Sequence, residues 1–164
     1  MELFDFLKNI SNEVYVFLIS MFPIVELRGA IPVGAAMGMN IFECYFIAVL
    51  GNLLPIPFIL VFIKKILEWM TKSKVKLFNK VSNKIILKAE KRSKKVNEAS
   101  FWGLFIFVAI PLPGTGAWTG ALVASLMGMR FKKSFLSIVL GVLVAGIIMT
   151  LGSYGVVSFL GIFA

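Results

Sequence analysis

The stretch Met21-Phe-Pro-Ile-Val-Glu-Leu-Arg-Gly-Ala-Ile-Pro-Val-Gly34 decides how the rest of the sequence is interpreted. It places two charges, Glu26 and Arg28, between two prolines inside an apolar run over residues 14–39. A charge at the centre of a membrane-spanning helix costs about 2.5–3.5 kcal/mol on insertion scales. Prolines also free backbone groups that only protein or enclosed water can satisfy in a bilayer. Charges and prolines together indicate a functional site rather than a plain spanning helix.

A second stretch of the chain repeats this pattern. Residues 109–129 align with residues 21–39 when a gap of two residues is allowed between the proline and the Gly-Met pair. The matched pairs are Pro23 with Pro111, Gly38-Met39 with Gly128-Met129, and Leu50-Gly51 with Leu140-Gly141. We interpret this as an internal repeat, a sequence feature of many transporter folds.

The composition is typical of an integral membrane protein. Hydrophobic residues make up 59% of the 164 residues and charged residues 15%, against about 45–50% and about 25% in soluble domains. At this length we expect a single membrane domain over residues 1–164. The chain has no histidine and a single cysteine, Cys44, which excludes histidine-based nucleophile pairs, zinc-histidine sites and cysteine metal clusters. We therefore expect no metal, no cofactor and no enzyme activity.

Four segments are predicted within this domain. They are an interfacial helix over 1–12, a first repeat over 13–71, a basic linker over 72–98 and a second repeat over 99–164. Of the 17 lysines and arginines, twelve lie between Lys64 and Lys95. Such a run is typical of a cytoplasmic loop that follows the positive-inside rule, here with an amphipathic helix on the membrane surface. We favour this interpretation over contact with nucleic acid.

Each proline-containing stretch has two alternative structures, a single kinked spanning helix or a re-entrant hairpin. With four plain spans, the positive charges at 130–133 would lie outside, against the positive-inside rule. With two re-entrant hairpins they lie inside with the basic linker, and residues 39–43, which carry no positive charge, lie outside. We therefore predict an all-α integral membrane protein, an inverted repeat of a re-entrant helical hairpin plus a transmembrane helix, with the basic cytoplasmic amphipathic linker helix between the copies. The hairpin tips are expected to meet near the membrane midplane.

The first full crossing contains three residues that are unusual in an apolar helix, Asn52, Pro55 and Pro57. The two prolines are predicted to bend the helix. An interhelical hydrogen bond is the favoured role of Asn52, and contact with substrate is the alternative.

The predicted substrate and proton site combines the two hairpin tips. Its members are Glu26, Arg28, Pro113, Gly114, Thr115, Gly116, Trp118 and Thr119, with Pro23, Pro32 and Pro111 as structural residues. Glycine-rich helix starts present backbone N–H groups to an anion, Arg28 adds a positive charge suited to phosphate or carboxylate, and a buried Glu26 can carry a proton. The alternatives are a structural ion pair between Glu26 and Arg28 and simple packing of Trp118.

The motifs Glu26-Leu-Arg-Gly-Ala-Ile-Pro-x-Gly34 and Pro111-Leu-Pro-Gly-Thr-Gly-Ala-Trp118 resemble those of the small multidrug export protein family of bacteria and archaea, over about residues 10–160. The resemblance implies a multi-pass protein of the bacterial or archaeal cytoplasmic (inner) membrane.

The second half, with Gly120-Ala-Leu-Val-Ala-Ser-Leu-Met127 and Phe131-Lys-Lys-Ser-Phe135, also resembles the DedA/VTT superfamily at a greater distance. That resemblance implies re-entrant hairpins, proton-dependent lipid movement and functional residues at Glu26, Arg28 and Arg130. The chain departs from the superfamily in lacking its arginine pair around the proline of the second hairpin.

These sequence features and resemblances are consistent with three functions. The leading one is a small secondary transporter, proton-coupled through Glu26, for an anionic amphiphile such as a phospholipid or polyprenyl phosphate. Export of cationic amphiphilic drugs is the second, although the adjacent Arg28 disfavours a cation. An uncoupled lipid scramblase or membrane assembly factor is the third. The expected partners are the lipid bilayer, the amphiphilic substrate and protons, and the thin wall of two crossings and two hairpins favours a homodimer.

Overall fold

The computed structural model describes residues 11–72, 97–112 and 114–159. Within these ranges the chain forms helices and turns and contains no strand, which confirms the all-α prediction. The helices are α1 (Asn12–Met21), α2 (Glu26–Ala36), α3 (Ile41–Leu53), α4 (Ile56–Lys72), α5 (Asn97–Ala109), α6 (Ala117–Leu126) and α7 (Phe131–Phe159). Most of the predicted interfacial helix, most of the basic linker and Pro113 lie outside the described residues.

Two helical stretches in the described part of the chain are long and apolar enough to cross a membrane. One covers the 23 residues Ile41–Ile63 and the other the 29 residues Phe131–Phe159, and a crossing needs about 20. The first is interrupted at Leu54 and Pro55, because a proline has no N–H to donate and its ring clashes with the preceding helical turn. The sequence predicts a bend from Pro55 and Pro57; the interruption lies at Pro55, and Pro57 is in the first turn of α4.

Each proline-containing stretch forms two short helices rather than one kinked helix. Helices α1 and α2 are joined by a turn over residues 22–25 and pack against each other, as do α5 and α6. Their lengths are 10–13 residues, or about 15–20 Å at 1.5 Å per residue. The first turn is shorter than we expected, so Glu26 and Arg28 begin α2 instead of lying in the connection.

The helices are distributed over two compact units. Unit 1 contains α1, α2, α3 and the second half of α7, from residue 142 on. Unit 2 contains α4, α5, α6 and the first half of α7, up to residue 141.

Unit 1 is built on close helix crossings at glycines. A Cβ added to Gly34 of α2 would collide with the Cys44 Sγ on α3, and one added to Gly51 of α3 would collide with α1. Two tyrosine hydroxyls tie α3 to the second half of α7: Tyr45 donates to the Leu143 carbonyl at 3.2 Å, and Tyr154 donates to the Met39 carbonyl at 2.9 Å. Small residues at crossings are what close helix packing in a membrane requires.

Unit 2 is also built on close helix crossings at glycines. A Cβ added to Gly120 of α6 would lie 2.7 Å from Val108 Cγ2 on α5, and one added to Gly141 of α7 would lie 2.7 Å from Val108 Cβ. The Ser137 hydroxyl donates to the Phe101 carbonyl at 2.7 Å. These contacts pack α5 against both α6 and the first half of α7.

The two segments that align in sequence end their second short helix in the same way. Gly38 follows α2 with φ 75°, and Gly128 follows α6 with φ 67°. The next residue donates back to the helix in both cases, Met39 to the Gly34 carbonyl at 3.1 Å and Met129 to the Ala124 carbonyl at 3.0 Å. A left-handed glycine is the usual end of a helix of this kind, so the repeated Gly-Met pair has a structural cause.

Candidate functional site

Glu26 is buried at the start of α2 although it is a carboxylate in an apolar helix pair. It is 4% exposed, and its neighbour Leu27 is 1% exposed. Its backbone N–H donates to the Phe22 carbonyl at 2.9 Å, which closes the turn between α1 and α2. Its φ of 51° is left-handed, and this conformation costs an L-residue roughly 1–2 kcal/mol. A buried and strained acid of this kind is a strong candidate for a functional group.

The second segment also has a residue with a positive φ at the start of its second helix. Gly116 precedes α6 with φ 135° and lies 90 residues after Glu26, the same offset that relates Gly38 to Gly128. Glycine adopts a positive φ without steric cost. At this offset the chain has a glutamate with a positive φ in the first segment and a glycine with a positive φ in the second.

Arg28 lies two residues further along α2. It is partly buried and interacts electrostatically with Glu26. Pro23 is exposed in the turn before α2, whereas Pro32 lies inside α2, beyond Arg28.

The second segment forms a connection held by glycines and a threonine. Gly114 has a left-handed φ of 79°. The Thr115 hydroxyl lies 3.0 Å from the Ile110 carbonyl and 2.8 Å from the Leu112 carbonyl, to one of which it donates. Thr115 thus stabilises the connection, and its predicted contact with substrate stays a prediction.

Helix α6 begins directly after this connection, and no side chain among the described residues caps it at Gly116. Trp118 and Thr119 are partly buried in its first turn, and Pro111 is partly buried before the connection. An uncapped helix N-terminus favours an anion through its N–H groups and its dipole. The structure thus gathers Pro23, Glu26 and Arg28 in unit 1, and Pro111 and Gly114–Thr119 in unit 2. That the two groups form one site stays a prediction.

Asn52 on α3 differs from the sequence-based prediction, which favoured an interhelical hydrogen bond. Its side chain is completely buried, and neither amide atom has a hydrogen-bond partner among the described residues. The expected interhelical hydrogen bond is therefore not formed. Buried polar atoms almost always have a partner in native proteins, so an amide without one calls for an explanation other than packing.

The comparison with protein families matches residues 26–148 to the family described as "Putative small multi-drug export protein". The match covers about three quarters of the chain and begins at Glu26 itself. No curated protein and no solved structure gives a significant match to the chain. The more distant resemblance to the DedA/VTT superfamily is not supported by these comparisons and stays a prediction.

The family's description is that of an exporter, which is a transporter rather than an enzyme. A membrane location agrees with the two apolar helices that are long enough for a crossing. From the extent of the match we conclude that the chain belongs to the small multidrug export protein family.

Proposed function

We propose that this protein is a small secondary transporter that moves an anionic amphiphile, such as a phospholipid or polyprenyl phosphate, and couples its movement to protons through Glu26. The observation that carries the proposal is the burial of Glu26 in a strained conformation at the start of α2, beside Arg28. Ionisable groups held inside an apolar helix pair are costly and mark substrate or proton pathways in transporters.

The proposed architecture is an inverted repeat of two re-entrant hairpins and two crossings. The short helices support it, because α1, α2 and α6 have 10 or 11 residues and each extends only about half the roughly 30 Å of the hydrocarbon core. The charge distribution supports it as well, since only re-entrant hairpins place residues 130–133 on the side of the basic linker.

Single-cysteine labelling in intact cells tests this topology. In a Cys44→Ser background we expect Glu43→Cys, at an exposed position, to react with an impermeant thiol reagent from outside, and Lys132→Cys, also exposed, to react only after the cells are opened. Glu43 lies outside in both models and serves as the control. Labelling of Lys132→Cys from outside would instead indicate four plain spans and would overturn the inverted repeat.

The preference for an anion rests on the positive charge of Arg28 and on the uncapped start of α6. A guanidinium binds phosphate and carboxylate groups through two parallel hydrogen bonds. The start of α6 contributes backbone N–H groups and a positive dipole end. Both features disfavour a cationic ligand.

Glu26→Gln tests proton coupling, because the amide keeps the shape of the side chain but cannot take up a proton. In proteoliposomes we expect accumulation of a fluorescent anionic lipid driven by a pH gradient to fall to background. Glu43→Gln, which removes an exposed carboxylate from α3, should leave it unchanged.

The melting temperature of Glu26→Gln decides between function and structure. If Glu26 only holds Arg28 in a structural ion pair, breaking that pair should destabilise the protein by about 3–5 kcal/mol. If the carboxylate serves coupling, the protein should stay folded and lose only transport. Full accumulation by Glu26→Gln would favour an uncoupled scramblase.

Export of cationic amphiphilic drugs is the second candidate, and the family's description favours it. In that case the Glu26 carboxylate would bind the cation directly and Arg28 would oppose binding. The two candidates therefore predict opposite effects of removing Arg28.

A further inference from the structure

We propose that the Asn52 carboxamide is part of the ligand site and binds a phosphate group that both donates and accepts hydrogen bonds, an inference that rests on the proposed function. Asn52 is 0% exposed, and both Oδ1 and Nδ2 are buried without a partner among the described residues. It is the middle residue of the apolar stretch Ile41–Ile63. A polar residue in the middle of a crossing is costly unless it serves a ligand or a partner.

The second segment shows that packing does not require an asparagine at this place. Gly51 and Gly141 are equivalent in sequence, and both meet the first helix of a short pair: a Cβ on Gly51 would lie 2.5 Å from the Phe17 carbonyl, and one on Gly141 would lie 3.0 Å from the Phe105 carbonyl. The residue after Gly141 is Val142, which is buried at 1% exposure. Valine therefore fills the position equivalent to Asn52.

Asn52 also lies at the end of unit 1 that carries the turn before Glu26. The preceding residue, Gly51, packs against Ser20, which is fully buried and two residues before that turn begins. Pro55 ends α3 nearby and has no N–H to donate to the Gly51 carbonyl. Ser20, Glu26 and Asn52 are thus three buried polar residues of unit 1; Thr150 is a fourth, and its Oγ1 also has no partner among the described residues.

The donors and the acceptor of the amide indicate which ligand it can bind. A carboxamide has two N–H donors and one acceptor oxygen, and here both ends lack a partner. A metal cation would satisfy only the oxygen. A phosphate monoester that retains one proton satisfies both, since its charged oxygens accept from Nδ2 and its O–H donates to Oδ1. A phosphodiester such as phosphatidylcholine has no O–H to donate.

Full burial of Asn52 means that the ligand reaches it in another conformation of the protein. A secondary transporter alternates between conformations that open the site to either side. Without a ligand, the unsatisfied amide raises the free energy of the conformation described here. It thereby reduces the free-energy difference between this conformation and the conformations that open the site.

The test is a comparison of Asn52→Val with the wild type, both as full-length protein in detergent at pH 6. Without added ligand we expect the melting temperature of Asn52→Val to be unchanged or higher by about 2–4 °C, because the substitution removes an unsatisfied buried amide. With dioctanoyl phosphatidic acid we expect the wild type to be stabilised and the apparent affinity of the variant to fall at least about tenfold, the loss of one good hydrogen bond to a charged group. Dioctanoyl phosphatidylcholine should bind weakly to both proteins.

Asn40→Val is the matched control. Asn40 caps α3, and its Oδ1 accepts from the Phe42 N–H at 3.0 Å. Its replacement should lower the melting temperature and leave the affinity for phosphatidic acid unchanged. An inorganic phosphate series separates the two sources of the phosphate group: stabilisation by inorganic phosphate that Asn52→Val loses would support the site and assign it a water-soluble ligand.

The outcomes separate this inference from the proposed function. Failure of the wild type to bind either phosphatidic acid or inorganic phosphate would overturn the proposed anion transport and the ligand of Asn52 together. Equal binding by wild type and Asn52→Val would overturn the role of Asn52 alone. A fall in the melting temperature of Asn52→Val as large as that of Asn40→Val would show that the amide has a structural partner, and would also overturn it.

Discussion

Replacing Arg28 with alanine is expected to reduce transport of an anionic lipid by roughly 10–100-fold, because a hydrogen bond to a charged group contributes about 1.5–3 kcal/mol. Arg28 supplies a positive charge in the described part of α2, a helix that is otherwise apolar except for Glu26. The measurement is the initial rate of uptake of a fluorescent phosphatidic acid into proteoliposomes. Arg28→Lys should retain part of the rate, since lysine keeps the charge but not the planar pair of donors.

Lys132→Ala is the control for the loss of one positive charge, because Lys132 is exposed in the first turn of α7 and is not a member of the predicted site. Its transport rate should equal that of the wild type. The same variants should be assayed with a cationic amphiphilic dye. Retained lipid transport by Arg28→Ala would overturn the role of Arg28 in binding an anion. Export of the dye by the wild type that Arg28→Ala keeps or increases would support cation export instead.

Replacing Gly51 with alanine is expected to give a large loss of stability. The new Cβ would collide with the Ser20 Oγ and would lie 2.5 Å from the Phe17 carbonyl oxygen. Ser20 can rotate, but the carbonyl belongs to the backbone of α1, so α1 and α3 have to move apart. Overpacking of this kind costs typically 1–3 kcal/mol and sometimes more. Because a backbone carbonyl cannot rotate away, we take the upper end of that range, about 3 kcal/mol, which at 2–4 °C per kcal/mol lowers the melting temperature by about 6–12 °C for a chain of this size.

Gly152→Ala is the matched control, since nothing lies within 4 Å of a Cβ added to Gly152 in α7. Alanine is the better helix former by about 1 kcal/mol, so this variant should be slightly stabilised. The double variant Ser20→Ala, Gly51→Ala should recover only part of the loss, because the Phe17 carbonyl remains. A melting temperature of Gly51→Ala within about 2 °C of the wild type would contradict the close α1–α3 crossing.

Local patterns predicted the elements of this protein well. The prolines of the two repeated stretches divide each into two short helices, because a proline cannot continue a helix beyond its first turn without losing a hydrogen bond. Pro32 is the exception. Pro32 was expected at the hairpin tip and instead lies inside α2, since the turn over residues 22–25 is complete before Glu26 and the helix has already restarted.

The residues of the candidate site were proposed from the sequence, and their geometry could not be. The charges of Glu26 and Arg28 stand out in an apolar run, and that is visible in the sequence. The left-handed φ of Glu26 is not, because no L-residue other than asparagine or aspartate favours this conformation locally, and only the closed turn and the packed helix pair impose it. The same holds for Asn52. An asparagine in an apolar helix suggests an interhelical hydrogen bond, but whether one forms depends on which side chains the folded chain places around it.

The sequence alone determined that the chain is a helical membrane protein with two related proline-containing stretches, and that Glu26 and Arg28 are its most unusual residues, because composition and local hydrogen-bond rules act over a few residues. Only the tertiary structure decided that Glu26 is buried, that Gly51 meets α1 and that Asn52 has no partner among the described residues. These properties depend on contacts between residues far apart in the chain, such as Ser20 and Gly51, and helix periodicity carries no information about which helices cross at which residues.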